Sequence, residues 1–229
     1  MRLLPVTLVL FLVACTGSEP EDSDDDDTAE DSGSTDTSAD TDETADTGDS
    51  DSGSDGPSAP YVGDVEVEDP AGLEFLCDAY DSIDGDLVVE GAAINTLASL
   101  SCLREVTGDV QVLETSLVDV SGLESLETIG GTLRFYRNAS LTQVDDLSAL
   151  TAVGAYVYFE SNVALTQVDG LGQVSTVGED LYLGKSSSLQ NLDGLASVRT
   201  VGGSLVIYSN AALVSISALL SVESVGRDL

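Results

Sequence analysis

From Asp84 onward the chain repeats itself, and the period limits the folds open to it. Turns begin at Asp84, Thr107, Gly130, Gly154, Gly178 and Gly202, with a further start at Gly226, so each turn takes 23 or 24 residues. Each opens on a corner (GGTL, GEDL, GGSL) and continues into a short alternating segment (LRFY, VYFE, LYLG, LVIY). A run such as NASLTQVDDLSALTAV follows, in which Leu141, Val144, Leu147, Leu150 and Val153 place an apolar residue at every third position. A helix would repeat at about 3.6 and a strand at 2.0. A coil of stacked turns satisfies both patterns. Its short strands point their fourth and sixth positions inward: Leu87/Val89, Val110/Val112, Leu133/Phe135, Val157/Phe159, Leu181/Leu183 and Leu205/Ile207. The period-three run then forms the remaining walls. One turn cannot bury its own apolar face, whereas a stack shares one core. The expected fold is all-β: a right-handed parallel β-solenoid over 61–229. Residues 62–83 form an imperfect first turn, with Asp69-Pro70 opening a short capping helix whose apolar face is Leu73, Leu76 and Tyr80.

What precedes the repeat is of a different kind. The start, MRLLPVTLVLFLVAC, has a basic Arg2 and an apolar run too short to span a bilayer, which is the pattern of an export signal. Leu12-Val13-Ala14-Cys15 resembles a bacterial lipobox. That resemblance implies cleavage before Cys15 and lipidation of Cys15, and so a membrane anchor. An ordinary secretory signal with an incidental Cys15 is the alternative. Residues 16–60 carry 17 acidic residues, no Lys or Arg, and no Leu, Ile, Val or aromatic residue. Such a composition cannot offset the entropy lost on ordering, so a self-repelling acidic linker is expected. Acid-rich residues soon after a lipidated Cys also resemble surface-export signals of some bacterial lipoproteins, and the location this resemblance implies is the cell envelope of a bacterium, at the outer membrane or cell surface.

The repeats, of the form GG-x-L-x-I-x-x-N-x-x-L-x-x-V-x-x-L-x-x-L-x-x-V, resemble the receptor L domain, the leucine-rich β-solenoid of insulin- and EGF-receptor ectodomains. Related repeats occur in bacterial surface lipoproteins. The resemblance covers about residues 62–229 and implies a fold, not a function. The chain departs from those domains in having few cysteines. It also ends at Gly226-Arg227-Asp228-Leu229, inside the first strand of a new turn, where a solenoid expects a cap. The expectation drawn is a chain truncated at its C-terminus.

Few residues invite chemistry. There is no His and a single Lys, Lys185. Cys77 and Cys102 fall at similar positions one turn apart, so a disulfide tying the cap to the first full turn is expected, with two buried thiols as the alternative. Two thiols without His make a poor zinc set, and no metal or cofactor is expected. Asn138, Asn162 and Asn210 recur just after the strand, with Ser186 in the same slot. They are expected to form a structural ladder that satisfies the tight turn and tolerates its left-handed backbone. Asn138-Ala139-Ser140 is formally a glycosylation sequon. Asp145, Asp169 and Asp193 alternate with Ser121 and Ser217, which favours capping of a short turn over a calcium ladder.

The outward strand positions gather Arg134, Tyr136, Tyr158, Glu160, Tyr182 and Tyr208, with Arg137 and Lys185 at the next position. Exposed Tyr and Arg dominate binding hot spots, although aromatic residues also simply suit a pleated surface. The formal charge of -35 leaves no basic stripe for nucleic acid. The function expected is therefore non-enzymatic: a lipid-anchored recognition or adhesion domain on an acidic stalk, binding an extracellular protein or glycan through this face. A structural or inactive envelope protein is the alternative. A polysaccharide-acting solenoid enzyme is a remote one, because no base and charge-neutralising groups converge.

Overall fold

The computed structural model describes residues 59–227. The export signal with Cys15, the acidic stretch up to Ser58, and Asp228-Leu229 lie outside the described residues. Within them the chain is an all-β parallel solenoid. Seven strands form one parallel sheet: Val65–Val67, Leu87–Glu90, Val110–Leu113, Leu133–Tyr136, Val157–Glu160, Leu181–Gly184 and Leu205–Tyr208. Its register pairs each residue with its counterpart one turn on, as in Leu133↔Val157↔Leu181↔Leu205. All twelve strand residues expected to point inward do so, and only Ile207, in the last turn, is partly exposed. Phe135 and Phe159 stack inside the core with centroids 4.9 Å apart.

The period-three run resolves into two local structures. Its middle is a single 3₁₀ turn, as at Asp145–Leu147, Asp169–Leu171 and Asp193–Leu195. In a 3₁₀ helix side chains three apart eclipse, so Val144, Leu147 and Leu150 all bury. Its end is a strand of a second parallel sheet. That sheet has eight strands, from Pro60–Val62 to Ser224–Val225, most of them two residues long. A two-residue strand is too short to show alternation, and the sequence reading missed this sheet. The sequence did show its inward residues, Val106, Ile129, Val153, Val177 and Val201, all buried.

The first-turn cap differs in detail from a single helix. Asp69 Oδ1 accepts from Ala71 N–H at 2.9 Å and opens a 3₁₀ segment, Pro70–Leu73; a separate α turn follows at Leu76–Ala79. Within the 3₁₀ segment Gly72 lies tight against the Val67 side chain. Leu73 and Leu76 are buried and Tyr80 packs against them at the edge of the core. Cys77 and Cys102 are bonded, Sγ to Sγ 1.97 Å and Cα to Cα 5.4 Å, which ties this cap to the next turn.

Turns stack closely because of glycine at one corner. A Cβ on Gly154, Gly178, Gly202 or Gly226 would collide with the carbonyl oxygen of the glycine one turn earlier.

Candidate functional site

Two polar ladders hold the turns that carry the outer face. At the corner after the strand, Asn138 Oδ1 accepts from Thr115 N–H at 3.0 Å and from its hydroxyl at 2.7 Å, while Asn138 Nδ2 donates to Val112 C=O at 2.9 Å. Asn162 does the same one turn on, accepting from Asn138 N–H at 3.0 Å and donating to Phe135 C=O at 3.0 Å. Asn210 accepts from Ser186 N–H and donates to Leu183 C=O. The ladder therefore binds turn to turn. The left-handed residue is not the asparagine but the one before it: Glu114, Arg137, Ser161, Lys185 and Ser209 have φ between 51° and 61°. Asn138 and Asn162 are fully buried, which closes the sequon at Asn138 to modification. At the opposite end of the strand a second ladder had gone unread. Asp64 Oδ1 accepts from Asp86 N–H, Asp86 Oδ1 from Asp109 N–H, Asp109 Oδ1 from Thr132 N–H, and Asp180 Oδ1 from Ser204 N–H. Its signal was the recurring Asp of GDV, GDL and GED.

The Asp145, Asp169 and Asp193 slot does not cap its own turn; none of these 3₁₀ turns has a side-chain cap from the residue that precedes it. Where a side chain does cap this slot, it comes from two positions earlier: Thr96, Asp119, Asn191 and Ser215 accept from Ala98, Ser121, Asp193 and Ser217 N–H. Asp145 instead accepts from Gln167 Nε2 on the next turn, at 3.1 Å and 3.2 Å. Burial, and then the charges of Asp145 and Asp193, push the Asp169 carboxyl up. Among the described residues no group of three His, Cys, Asp or Glu side chains is placed to hold a metal ion.

The outer face of the seven-stranded sheet brings the sequence-selected residues together. Glu160 pairs across the strands with Tyr136 on one side and Gly184 on the other, and Gly184 with Tyr208. Tyr208 lies over Gly184, where any Cβ would meet its ring, and so reaches Glu160 across the intervening strand. The carboxylate of Glu160, a residue only 8 % exposed, accepts from Tyr158 OH, from Tyr208 OH at 2.9 Å and from Lys185 Nζ at 2.6 Å. The Lys185 and Tyr158 hydrogen bonds hold its pKa at about 2, well below the usual carboxylate range. A carboxylate so held takes up no proton near neutrality and is poorly suited to general acid–base work. Burial and the same carboxylate push the Tyr158 hydroxyl up.

The rings occupy one another. Tyr158 and Tyr182 stack with centroids 4.5 Å apart and planes 5° apart, and Tyr182 meets Tyr208 edge-on at 5.2 Å. The Arg134 guanidinium lies 5.0 Å from the Tyr136 ring centroid and 5.4 Å from that of Tyr158, and Arg137 lies 4.8 Å from Tyr136. Tyr136, Tyr158, Tyr182 and Tyr208 are all half-buried, and Tyr158 and Tyr182 turn one ring face to each other.

The basic residues separate into two classes. Arg104, Arg137, Lys185, Arg199 and Arg227 each make an ion pair with a glutamate. Among the described residues Arg134 is the one basic residue with no acidic partner; there its side chain hydrogen-bonds Gln111 Oε1, at 3.4 Å. Sequence placed Arg134 on the face but could not single it out, because pairing depends on which glutamates the stacking brings near.

Residues 81–165 match the family model of the receptor L domain. The chain's fold is receptor L-domain-like. No curated protein matches the chain. No solved structure matches it either.

Proposed function

We propose that this receptor L-domain-like solenoid is a non-catalytic recognition domain, displayed at a bacterial cell surface on an acidic stalk and a lipid anchor at Cys15. The outer sheet face is its binding surface, and the partner is a protein that offers a carboxylate to Arg134. The observation that carries the reading is Arg134 itself: a guanidinium with no acidic partner among the described residues, flanked by Tyr136 and Tyr158, in a chain of formal charge -35. A planar guanidinium fixed over aromatic rings suits bidentate recognition of a carboxylate. A protein fits better than a stacked sugar, since the faces of Tyr158 and Tyr182 already cover each other. The anchor and stalk rest on the sequence of residues 1–60 alone.

The test is saturable binding of the full chain, carrying Cys15→Ser to remove the acylation site, to isolated envelope material. Binding lost on protease treatment, kept after periodate oxidation, and weakened at least about tenfold by Arg134→Ala is expected, since a fully engaged arginine is worth about 2 kcal/mol or more. Binding unchanged in Arg134→Ala, or no saturable binding at all, would overturn the proposal.

A further inference from the structure

The Asp ladder at the start of the seven-stranded sheet's strands is interrupted in mid-stack. Asp64, Asp86, Asp109 and Asp180 each accept from the N–H one turn on, but Thr132 and Tyr156 fill the two slots between Asp109 and Asp180. Thr132 N–H is served by Asp109, and Ser204 N–H by Asp180. Among the described residues neither Thr132 nor Tyr156 lends its side chain to the turn that follows. Tyr156 therefore forgoes a turn-to-turn hydrogen bond that its Asp counterparts make. Breaks in a local rule of this kind gather where a site is built.

The break lies beside Arg134. Tyr156 immediately precedes the strand Val157–Glu160, and its C=O accepts from Leu133 N–H at 2.8 Å, so the pairing of the two strands reaches it. Strand alternation puts Tyr156 on the outer face with Tyr158, two residues on. Arg134 pairs directly with Tyr158, which makes Tyr156 its diagonal neighbour, at roughly 7–8 Å between backbones. Tyr156 is also the most exposed of the chain's seven tyrosines, at 40 %. Tyr136, Tyr158, Tyr182 and Tyr208 each lie against a ring or a cation; among the described residues Tyr156 does neither.

We propose that Tyr156 is the apolar half of the binding site whose charged half is Arg134. The inference rests on the reading that Arg134 takes a partner's carboxylate. An open aromatic ring beside a guanidinium gives a charged contact an apolar neighbour that keeps water from it. Side chains two apart in an extended segment point the same way and lie roughly 6.6 Å apart, close to the Arg134–Tyr156 spacing. The partner segment is therefore extended, with an acidic residue two positions from an apolar one: the acid meets Arg134 and the apolar side chain covers Tyr156.

The experiment is saturable binding of the full chain with Cys15→Ser to isolated envelope material, beside the melting temperature of each variant. Tyr156→Asn should weaken binding at least about fivefold. Its melting temperature should equal or exceed that of the parent, because the new amide oxygen can accept from Asp180 N–H as Asp180 does from Ser204 N–H. Tyr156→Ser, which copies the slot at Ser204, should behave alike in binding, and Tyr156→Phe should bind as the parent does. Binding unchanged in both Tyr156→Asn and Tyr156→Ser, with Arg134→Ala still weakening it, would overturn this inference and leave the carboxylate reading standing. Binding lost in Tyr156→Phe, or lost in the polar variants together with a lower melting temperature in each, would also overturn it. A parent that does not bind saturably would overturn both.

Discussion

Asn138→Ala should cost more than its size implies, and the structure gives the amount. The substitution removes the partner of Thr115 N–H, of the Thr115 hydroxyl and of Val112 C=O, at a site with 0 % exposure. A buried N–H left unpaired costs about 1–3 kcal/mol, and each further lost hydrogen bond about 1 kcal/mol. The total is about 4 kcal/mol. For a domain of this size that lowers the melting temperature by about 10 °C. Asn210→Ala removes the same kind of rung in the last turn, where Asn210 is only partly buried and solvent replaces it. Its cost should be about 1 kcal/mol. The assay is urea unfolding of both variants followed by circular dichroism, with the melt as a second measure. Equal losses in the two variants, or less than about 1 kcal/mol for Asn138→Ala, would refute the claim that burial of the rung sets its worth.

Ser186→Asn should restore the missing rung opposite the Asn162 N–H and raise stability by about 1 kcal/mol, read in the same urea titration; a loss of stability would mean the slot has no room. Glu160 has its pKa held at about 2 in the folded chain, below its ordinary 4.5. Its contribution is therefore fully present above about pH 4.5 and is lost as the pH falls towards 2, by at most about 3 kcal/mol. The difference in unfolding free energy between the parent and Glu160→Gln should shrink across that window, and a constant difference would contradict the linkage. Gly184→Ala should drive the Tyr208 ring off Glu160 and change the near-ultraviolet dichroism of the tyrosines, with the far-ultraviolet spectrum kept; an unchanged tyrosine band would show that the ring needs no such space. Cys77→Ser with Cys102→Ser opens a loop with a sequence separation of 25 residues and should destabilise the capped end by about 3.5 kcal/mol on the chain-entropy account, with faster amide exchange at Leu73 and Leu76. Uniform protection along the chain would argue against a local role for the bond.

The solenoid was legible because the repeat forces each apolar slot to recur every 23 or 24 residues. Leu133 and Phe135 alternate within one strand, and Leu141, Val144, Leu147 and Leu150 step at three, so both walls could be drawn from letters alone. The second sheet was not legible, since a pair such as Thr176–Val177 is too short to carry a period. The capping of the 3₁₀ turns was misplaced for a different reason. Asp145, Asp169 and Asp193 recur more conspicuously than Thr96, Asp119, Asn191 and Ser215, which share a role but not an identity. Of the outer face, sequence gave membership through strand alternation. It could not give the convergence of Tyr158, Tyr208 and Lys185 on Glu160, which needs Gly184 to let Tyr208 cross a strand. Nor could it separate Arg134 from the paired arginines.

The two ladders run in opposite senses. Asn138 accepts from Thr115 N–H of the turn before it, whereas Asp86 accepts from Asp109 N–H of the turn after it. Neighbouring turns are therefore stitched from both sides, each lending a side chain to the other's backbone, and taking out one turn would open polar groups on both of its neighbours.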